Sequence, residues 1–536
     1  MFSKIALSAA IIGLCASLPG LAPASAQVQS EGMGDLSAWG TRYLSSEEKE
    51  FPPQLWRGSD DDVLLDLMKT VRTARLSPAE RKLLRRVVLS PAERPRGENA
   101  EALLTERARL MLELGEARAA AALAPRLESQ ARGLDVETIA VDLDMASGRE
   151  NAACRRIEGG LPEGEYWLKL RVVCAILVEN YAAAELSAEF ATAQGVNDTW
   201  FLEAVFAASG EVPNPPYARF DSGLNIALSS KANLDTSRMT LSAGRPDLAA
   251  AAAQRPGIAP DLSARFAQIA GDLDLISADA RRNILLKRIQ ADENGATSAL
   301  ERALVAQSDP EIEIEEKARR LNSVLSSVSR ADMARFGGTA KVLLPDLQRL
   351  QRSTETAQFA QTFSKAAMAA GDNMLARRWL SALDFEGAPE TNPFDIAYLE
   401  ALDLMSGGDD SPASQNAVQK RLVEAAKSSD QKTRTAEILT LWSGFGYRLG
   451  PDARSLVFAA NNTQKRLSPG ALIAIDSAAQ SKATGETALL ILQQIKGNPK
   501  QISSIDIAAL IAALIEIDAR DIAEDLALEA TEFWKD

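Results

Sequence analysis

Apolar residues recur at helical spacing along most of this chain, and the pattern is clearest at its C-terminus. There Ile507, Leu510, Ile511, Leu514 and Ile515 fall at the i, i+3, i+4, i+7 and i+8 positions of one helix face. Asp518-Ala519-Arg520 supplies a short turn, and Ile522, Leu526, Ala530 and Phe533 form a second stripe. This spacing predicts an αα-hairpin over 503–533, with Ser503 and Asp506 reading as a capping box at its start.

The same plan recurs upstream. Residues 103–114 lead through Gly115 into 117–127, and 239–243 lead through Gly244 into 246–253. Residues 359–370 lead through Gly371-Asp372 into 374–383, and 472–479 lead through Gly485 into 487–495. Each unit pairs two amphipathic helices across a small-residue turn, with alanine abundant where helices must approach closely. A lone hairpin cannot bury its apolar face, so repeated hairpins bury it against their neighbours. The predicted class is therefore all-α: helical-hairpin repeats stacked as an α-solenoid, with little or no β-structure. Strict apolar-polar alternation is scarce. Glu311-Ile312-Glu313-Ile314-Glu315 shows it, but Lys317-Ala318-Arg319 follows, which predicts the start of a charged helix.

Breaks in the pattern suggest organisation. Residues 27–60 carry Gly32, Gly34, Pro52, Pro53 and Gly58 and read as an extension lying along the first helices. The stretch 210–223, with Pro213, Pro215 and Pro216, marks a boundary. It divides an N-terminal helical region, 27–215, from a helical-repeat array over 216–536. Weaker loop signals stand at 387–393 and 407–412.

The first 26 residues read as an address rather than as structure. Lys4 makes a positive start, Ile5 to Leu14 is an apolar run, and Ala24-Ser25-Ala26 is the small-x-small pattern of a signal-peptidase site. The run is shorter than the roughly 20 residues a transmembrane helix needs. Cleavage is expected after Ala26, with export to a bacterial periplasm and no transmembrane segment in the mature chain. Lipid anchoring through Cys15 is disfavoured because Leu14 precedes it, where a small residue is wanted.

Two cysteines survive that cleavage. Cys154 and Cys174 flank the turn Gly159-Gly160-Leu161-Pro162-Glu163-Gly164, with helix patterns on both sides. In an oxidising compartment this layout predicts a structural disulfide across an antiparallel helix pair. A redox centre would more typically carry a Cys-x-x-Cys motif.

Composition narrows the chemistry. The 536 residues contain no histidine, the only side chain whose unperturbed pKa switches charge near neutrality and the commonest metal ligand. A Ser-His-Asp triad, a Cys-His dyad and His-ligated zinc or haem are all excluded. Losing Lys4 with the leader would move the formal net charge of −14 to −15, which disfavours nucleic acid as a partner. No calcium-loop frame, phosphate-cradling glycine loop or G-x-S-x-G elbow is present. No catalytic residue, cofactor or metal is expected. Paired carboxylates are the surviving enzymatic route, as in glycoside hydrolysis, so a peptidoglycan-processing enzyme or its accessory subunit is the competing class. The seven tryptophans are scattered, as hairpin packing requires and a sugar cleft does not.

One dense basic cluster stands out. Ser77-Pro78-Ala79-Glu80 reads as a helix start and Ser90-Pro91-Ala92-Glu93 repeats it. Arg81, Lys82, Arg85, Arg86, Arg94 and Arg96 lie between and after them. On an acidic chain they form a candidate partner-binding patch, weighed against a solvated helix face. Asp60-Asp61-Asp62 reads as acid at a helix N-terminus.

The hairpins over 359–383 and 507–533 resemble tetratricopeptide-like α-solenoid repeats. The likeness is architectural and spans about two-thirds of the mature chain. Exported helical superhelices also occur in soluble lytic transglycosylases. Their catalytic domain, with its glutamate-serine motif and glycine-rich continuation, has no counterpart here. In composition and layout the chain is also similar to periplasmic motility accessory proteins of alphaproteobacteria. The resemblance implies a scaffold or adaptor that binds a cell-envelope or motility-machine protein and is compatible with self-association. It transfers no functional residue.

Overall fold

Local capping chemistry sets where many of the helices begin. The computed structural model describes residues 38–123, 127, 136–160, 162–210, 212–241, 245–292, 295–385, 390–460 and 464–535. The expected leader and cleavage site lie outside them, as do Gly244 and residues 387–389. Ser77 and Glu80 form a reciprocal box: the Glu80 amide donates to Ser77 Oγ at 3.4 Å, and the Ser77 amide donates to Glu80 Oε2 at 2.9 Å. With Pro78 at the first helical position, this starts the helix Pro78–Leu89. Asp60 caps Asp61–Thr70 by accepting from the Asp62 amide.

The protein is all-α. Among the described residues there are 27 α-helices, and the strand content is one parallel pair of two-residue segments, Arg219–Phe220 with Thr240–Leu241. The expected hairpins are present at Ala100–Leu114 with Ala117–Leu123, at Ala360–Ala369 with Asn373–Leu380, and at Ser504–Glu516 with Arg520–Thr531. Gly115 and Gly371 both take positive φ in the turns, the conformation that lets a helix end and the chain reverse. Each fully buried leucine or phenylalanine on the facing stripes contributes about 1.5–3 kcal/mol. All seven tryptophans are buried, Trp379 and Trp442 completely.

Several local expectations fail where tertiary contacts win. Ser90 starts no helix. It ends Pro78–Leu89, and its buried hydroxyl accepts from the Phe51 amide and donates to the Arg86 carbonyl. Asp506 closes no capping box, because its carboxylate holds the Arg466 guanidinium and the Leu467 amide instead. Where a first helix is expected over 239–243, Thr240–Leu241 is strand, and residues 242–243 lie outside the described residues. Gly485 lies inside Thr484–Ile495 rather than in the turn, pressed against Trp56. The charged helix begins at Ile314.

Residues 38–60 run along the first helices and are pinned there. The Tyr43 amide donates to the Leu89 carbonyl and the Ala92 amide to the Trp39 carbonyl. Fully buried Arg107 donates to the carbonyls of Trp39, Val88 and Ser90, with its guanidinium over the Trp39 and Tyr43 rings. Satisfying two carbonyls at the end of Pro78–Leu89 and one from the 38–60 segment offsets the penalty of burying that charge, and burial lowers its pKa to about 10.

Residues 38–536 form one compact unit. Val136–Ala146 packs on Gly223–Lys231 across the proline-rich loop at 212–218. There the Asp142 carboxylate accepts from the Gly223 amide at 2.7 Å, and a Cβ on Gly223 would meet the Asp142 carbonyl oxygen at 1.7 Å. Neighbouring helices pack in chain order through much of the unit, and its ends also meet. Asp61–Thr70 and Pro78–Leu89 pack on Thr484–Ile495, and Pro78–Leu89 also packs on Arg520–Thr531.

Candidate functional site

The joined ends place a charged seam between Pro78–Leu89 and Arg520–Thr531. Arg86 donates to Asp521 through both terminal nitrogens, at 3.0 and 2.5 Å. Lys82 reaches Asp525 at 2.6 Å and Asp521 at 3.1 Å. Lys82 and Arg86 are i,i+4 on one helix, and Asp521, Asp525 and Glu529 follow the same spacing on the other. Burial opposes the charge on Asp521, but Arg86 and Lys82 outweigh it and hold the carboxyl well below the ordinary range.

Two buried glutamates extend the seam. Glu80, 2% exposed, accepts from the Gly497 amide through both oxygens, at 2.8 and 3.1 Å, besides closing its own capping box. Gly497 has φ +84°, and a Cβ there would stand 1.7 Å from the Arg75 carbonyl oxygen. Only glycine lets the chain come this close. Glu529, 3% exposed, accepts from the Ala79 amide at 2.7 Å through Oε1. Its Oε2 makes no hydrogen bond among the described residues. Burial pushes Glu80 up to about 7 and Glu529 up to about 8.

The basic cluster divides. On Pro78–Leu89, Lys82 and Arg86 enter the seam, Arg81 donates to the Leu114 carbonyl, and Arg85 pairs with Glu48 and Glu116. Arg94 and Arg96 lie exposed in the following loop, Arg94 pairing with Glu101 at 3.1 Å. The four on the helix thus serve internal contacts, and a fifth, Arg94, pairs within the chain at the surface.

Beside the seam lies a cleft of about 510 Å³ whose lining includes Lys82, Asp274, Lys341, Asp525 and Glu529. Lys341 is held by Asp274 at 2.6 Å. Glu80 is absent from that lining and its oxygens are committed to backbone amides, so Glu529 has no partner carboxyl in Glu80 for glycosidic chemistry. Among the described residues, no group of three or more acidic or cysteine side chains is placed to hold one metal ion.

A second feature is the stapled hairpin. Cys154, ending Glu150–Cys154, is bonded to Cys174 of Glu165–Leu177, with Cα atoms 5.8 Å apart. Tyr181–Ala193 packs on Glu165–Leu177 through Ala184, Ser187, Ala188 and Ala191. Small side chains allow that close approach, and they leave the large ones outside. Leu186 is 68% exposed and Phe190 46%, on one stripe with exposed Ala182 and Ala193. Glu185 and Glu189 line one edge. Of the twelve large apolar side chains left exposed among the described residues, six fall within 178–217, so this exposure is concentrated rather than scattered.

The sequence reading grouped the cations of Pro78–Leu89 but passed over Asp521, Asp525 and Glu529. Their i,i+4,i+8 stripe, matched to Lys82 and Arg86, was the available signal. Among the described residues no helix is long and apolar enough to cross a membrane. The chain matches no protein-family profile, no curated protein and no solved structure.

Proposed function

We propose that this chain is an exported helical scaffold or adaptor of the bacterial periplasm. In this reading its hairpins stack in tetratricopeptide-like fashion and present Tyr181–Ala193, the helix packed against the stapled hairpin, to a cell-envelope or motility-machine protein. The observation that carries the proposal is the exposed Leu186–Phe190 stripe on a helix whose buried face is alanine and serine. A helix that turns large apolar groups outward is offering contact area that a partner removes from water. The acidic edge of Glu185 and Glu189, on a chain of net charge −14, favours a partner surface that combines apolar side chains with lysine or arginine. A second copy would set like charges against each other. The leader pattern and the disulfide support the compartment, since such bonds persist where thiols are oxidised.

Replacing Leu186 and Phe190 with aspartate in the exported protein tests the reading. The expected result is an unchanged melting temperature and loss of the larger complex on sizing of periplasmic extract. A complex that survives both substitutions would overturn it.

A further inference from the structure

Where the two ends of the compact unit meet, residues of the stretches 70–76 and 492–496 line a second cleft, of about 440 Å³. Val71, Leu76 and Leu492 form its apolar side. Arg72, Arg75 and Lys496 also line it, and no aspartate or glutamate does. All three cations are exposed, and among the described residues none of them pairs with a carboxylate. The cations of neighbouring Pro78–Leu89 differ, since Lys82, Arg85 and Arg86 are each held by acidic partners. On a chain of 73 acidic and 59 basic residues, a cleft carrying three unpaired cations and no acid reverses the overall sign. The backbone fixes their placement. Lys496 ends Thr484–Ile495 at φ +55°, a left-handed position where glycine is usual. Gly497 follows, with its amide on buried Glu80 and its Cα tight against the Arg75 carbonyl. That contact holds the Lys496 turn beside Arg75.

We propose that this cleft binds an amphiphilic oxyanion, a carboxylate or phosphate group joined to an apolar chain. Guanidinium forks match the paired oxygens of either group, and Lys496 adds a compact point charge. The apolar side takes the chain out of water. An inorganic anion would leave that side wet, and a neutral apolar molecule would leave the cations without a partner. The volume falls within the roughly 300–1,000 Å³ of small-molecule clefts. This site is separate from the Leu186 stripe, and neither proposal depends on the other.

Titration calorimetry of the full chain, at fixed low ionic strength, tests it with n-hexanoate, n-hexyl phosphate, neutral n-hexanol and inorganic phosphate. At least one hexyl anion is expected to bind about tenfold or more tightly than both hexanol and inorganic phosphate. Tighter binding of hexanoate assigns a carboxylate, tighter binding of hexyl phosphate a phosphate monoester, and equal affinity a site open to either. Arg75→Gln combined with Lys496→Asn, an exchange that tolerates positive φ, is expected to weaken the anion about tenfold or more at an unchanged melting temperature. Lys420→Gln, at an exposed cation of Pro412–Ala425, should leave the affinity as it is. Should the double variant fail to fold, the comparison with hexanol and inorganic phosphate in the wild-type protein carries the test. No binding of either hexyl anion, or hexanol or inorganic phosphate binding as tightly, would overturn the proposal. So would a folded double variant that binds equally well, or an equal loss from Lys420→Gln.

Discussion

Arg86 and Asp521 stand 435 positions apart in the chain and meet in a two-pronged ion pair, Nη1 to Oδ1 at 3.0 Å and Nη2 to Oδ2 at 2.5 Å. The pair ties the first helices of the compact unit to its last one. Arg86 is buried while Asp521 keeps partial exposure, so removing the carboxylate strands a charge that water reaches poorly. Asp521→Asn is expected to destabilise by about 2–3 kcal/mol. Urea denaturation of the single and double variants measures it. A change below about 0.5 kcal/mol would show that the pair is incidental.

The seam also predicts a pH dependence. Glu80 and Glu529, held near 7 and 8 when folded, have an ordinary value of 4.5. The folded state therefore binds more protons across that window, and stability falls as pH rises from about 5 through about 8. Asp521, held low, acts oppositely, adding stability that is lost only as pH falls below about 4. The melting temperature should drop by roughly 5 °C or more between about pH 5 and pH 9. Glu529→Gln should flatten that slope. A melting temperature that rises with pH over the same interval would contradict the seam's electrostatics.

Reducing the disulfide should act on the hairpin it staples. Closing a loop with a sequence separation of 20 stabilises by about 3 kcal/mol in the chain-entropy picture. Cys154→Ser with Cys174→Ser is expected to lose most of that. Hydrogen exchange should rise in Glu165–Leu177 and Tyr181–Ala193 while Pro78–Leu89 stays protected. Uniform loss of protection would mean that the staple supports the whole unit.

Gly497 offers a steric test of the same closure. Gly497→Ala forces a Cβ against the Arg75 carbonyl and holds alanine at positive φ, and should cost about 2 kcal/mol or more. Gly159→Ala, where a Cβ meets nothing within 4 Å, should change little. Equal midpoints for the two variants would show that the close approach is not maintained in solution.

What the chain revealed before folding was what short-range chemistry encodes. Helical periodicity, the Ser77–Glu80 box, the glycine turns at Gly115 and Gly371 and the Cys154–Cys174 staple all act within about twenty residues. The seam was hidden because its partners lie more than 400 residues apart, and Lys82 and Arg86 alone look like any solvated stripe. Ser90 and Asp506 misled for the same reason. Each fits a local cap, and each is taken by contacts from another part of the chain, the Phe51 amide and the Arg466 guanidinium. The outward stripe on Tyr181–Ala193 was equally silent, because periodicity marks an apolar face without saying which way it points.

The adaptor reading turns on what covers Leu186 and Phe190. Photocrosslinking side chains placed at these positions in the exported protein, with one at exposed Lys420 as control, give the most direct measurement. The expected result is a crosslink from Leu186 and Phe190, and not from Lys420, to one other protein, through a peptide in which apolar residues alternate with lysine or arginine. Crosslinks only to further copies of this chain, equal yields from all three positions, or none at all would contradict it.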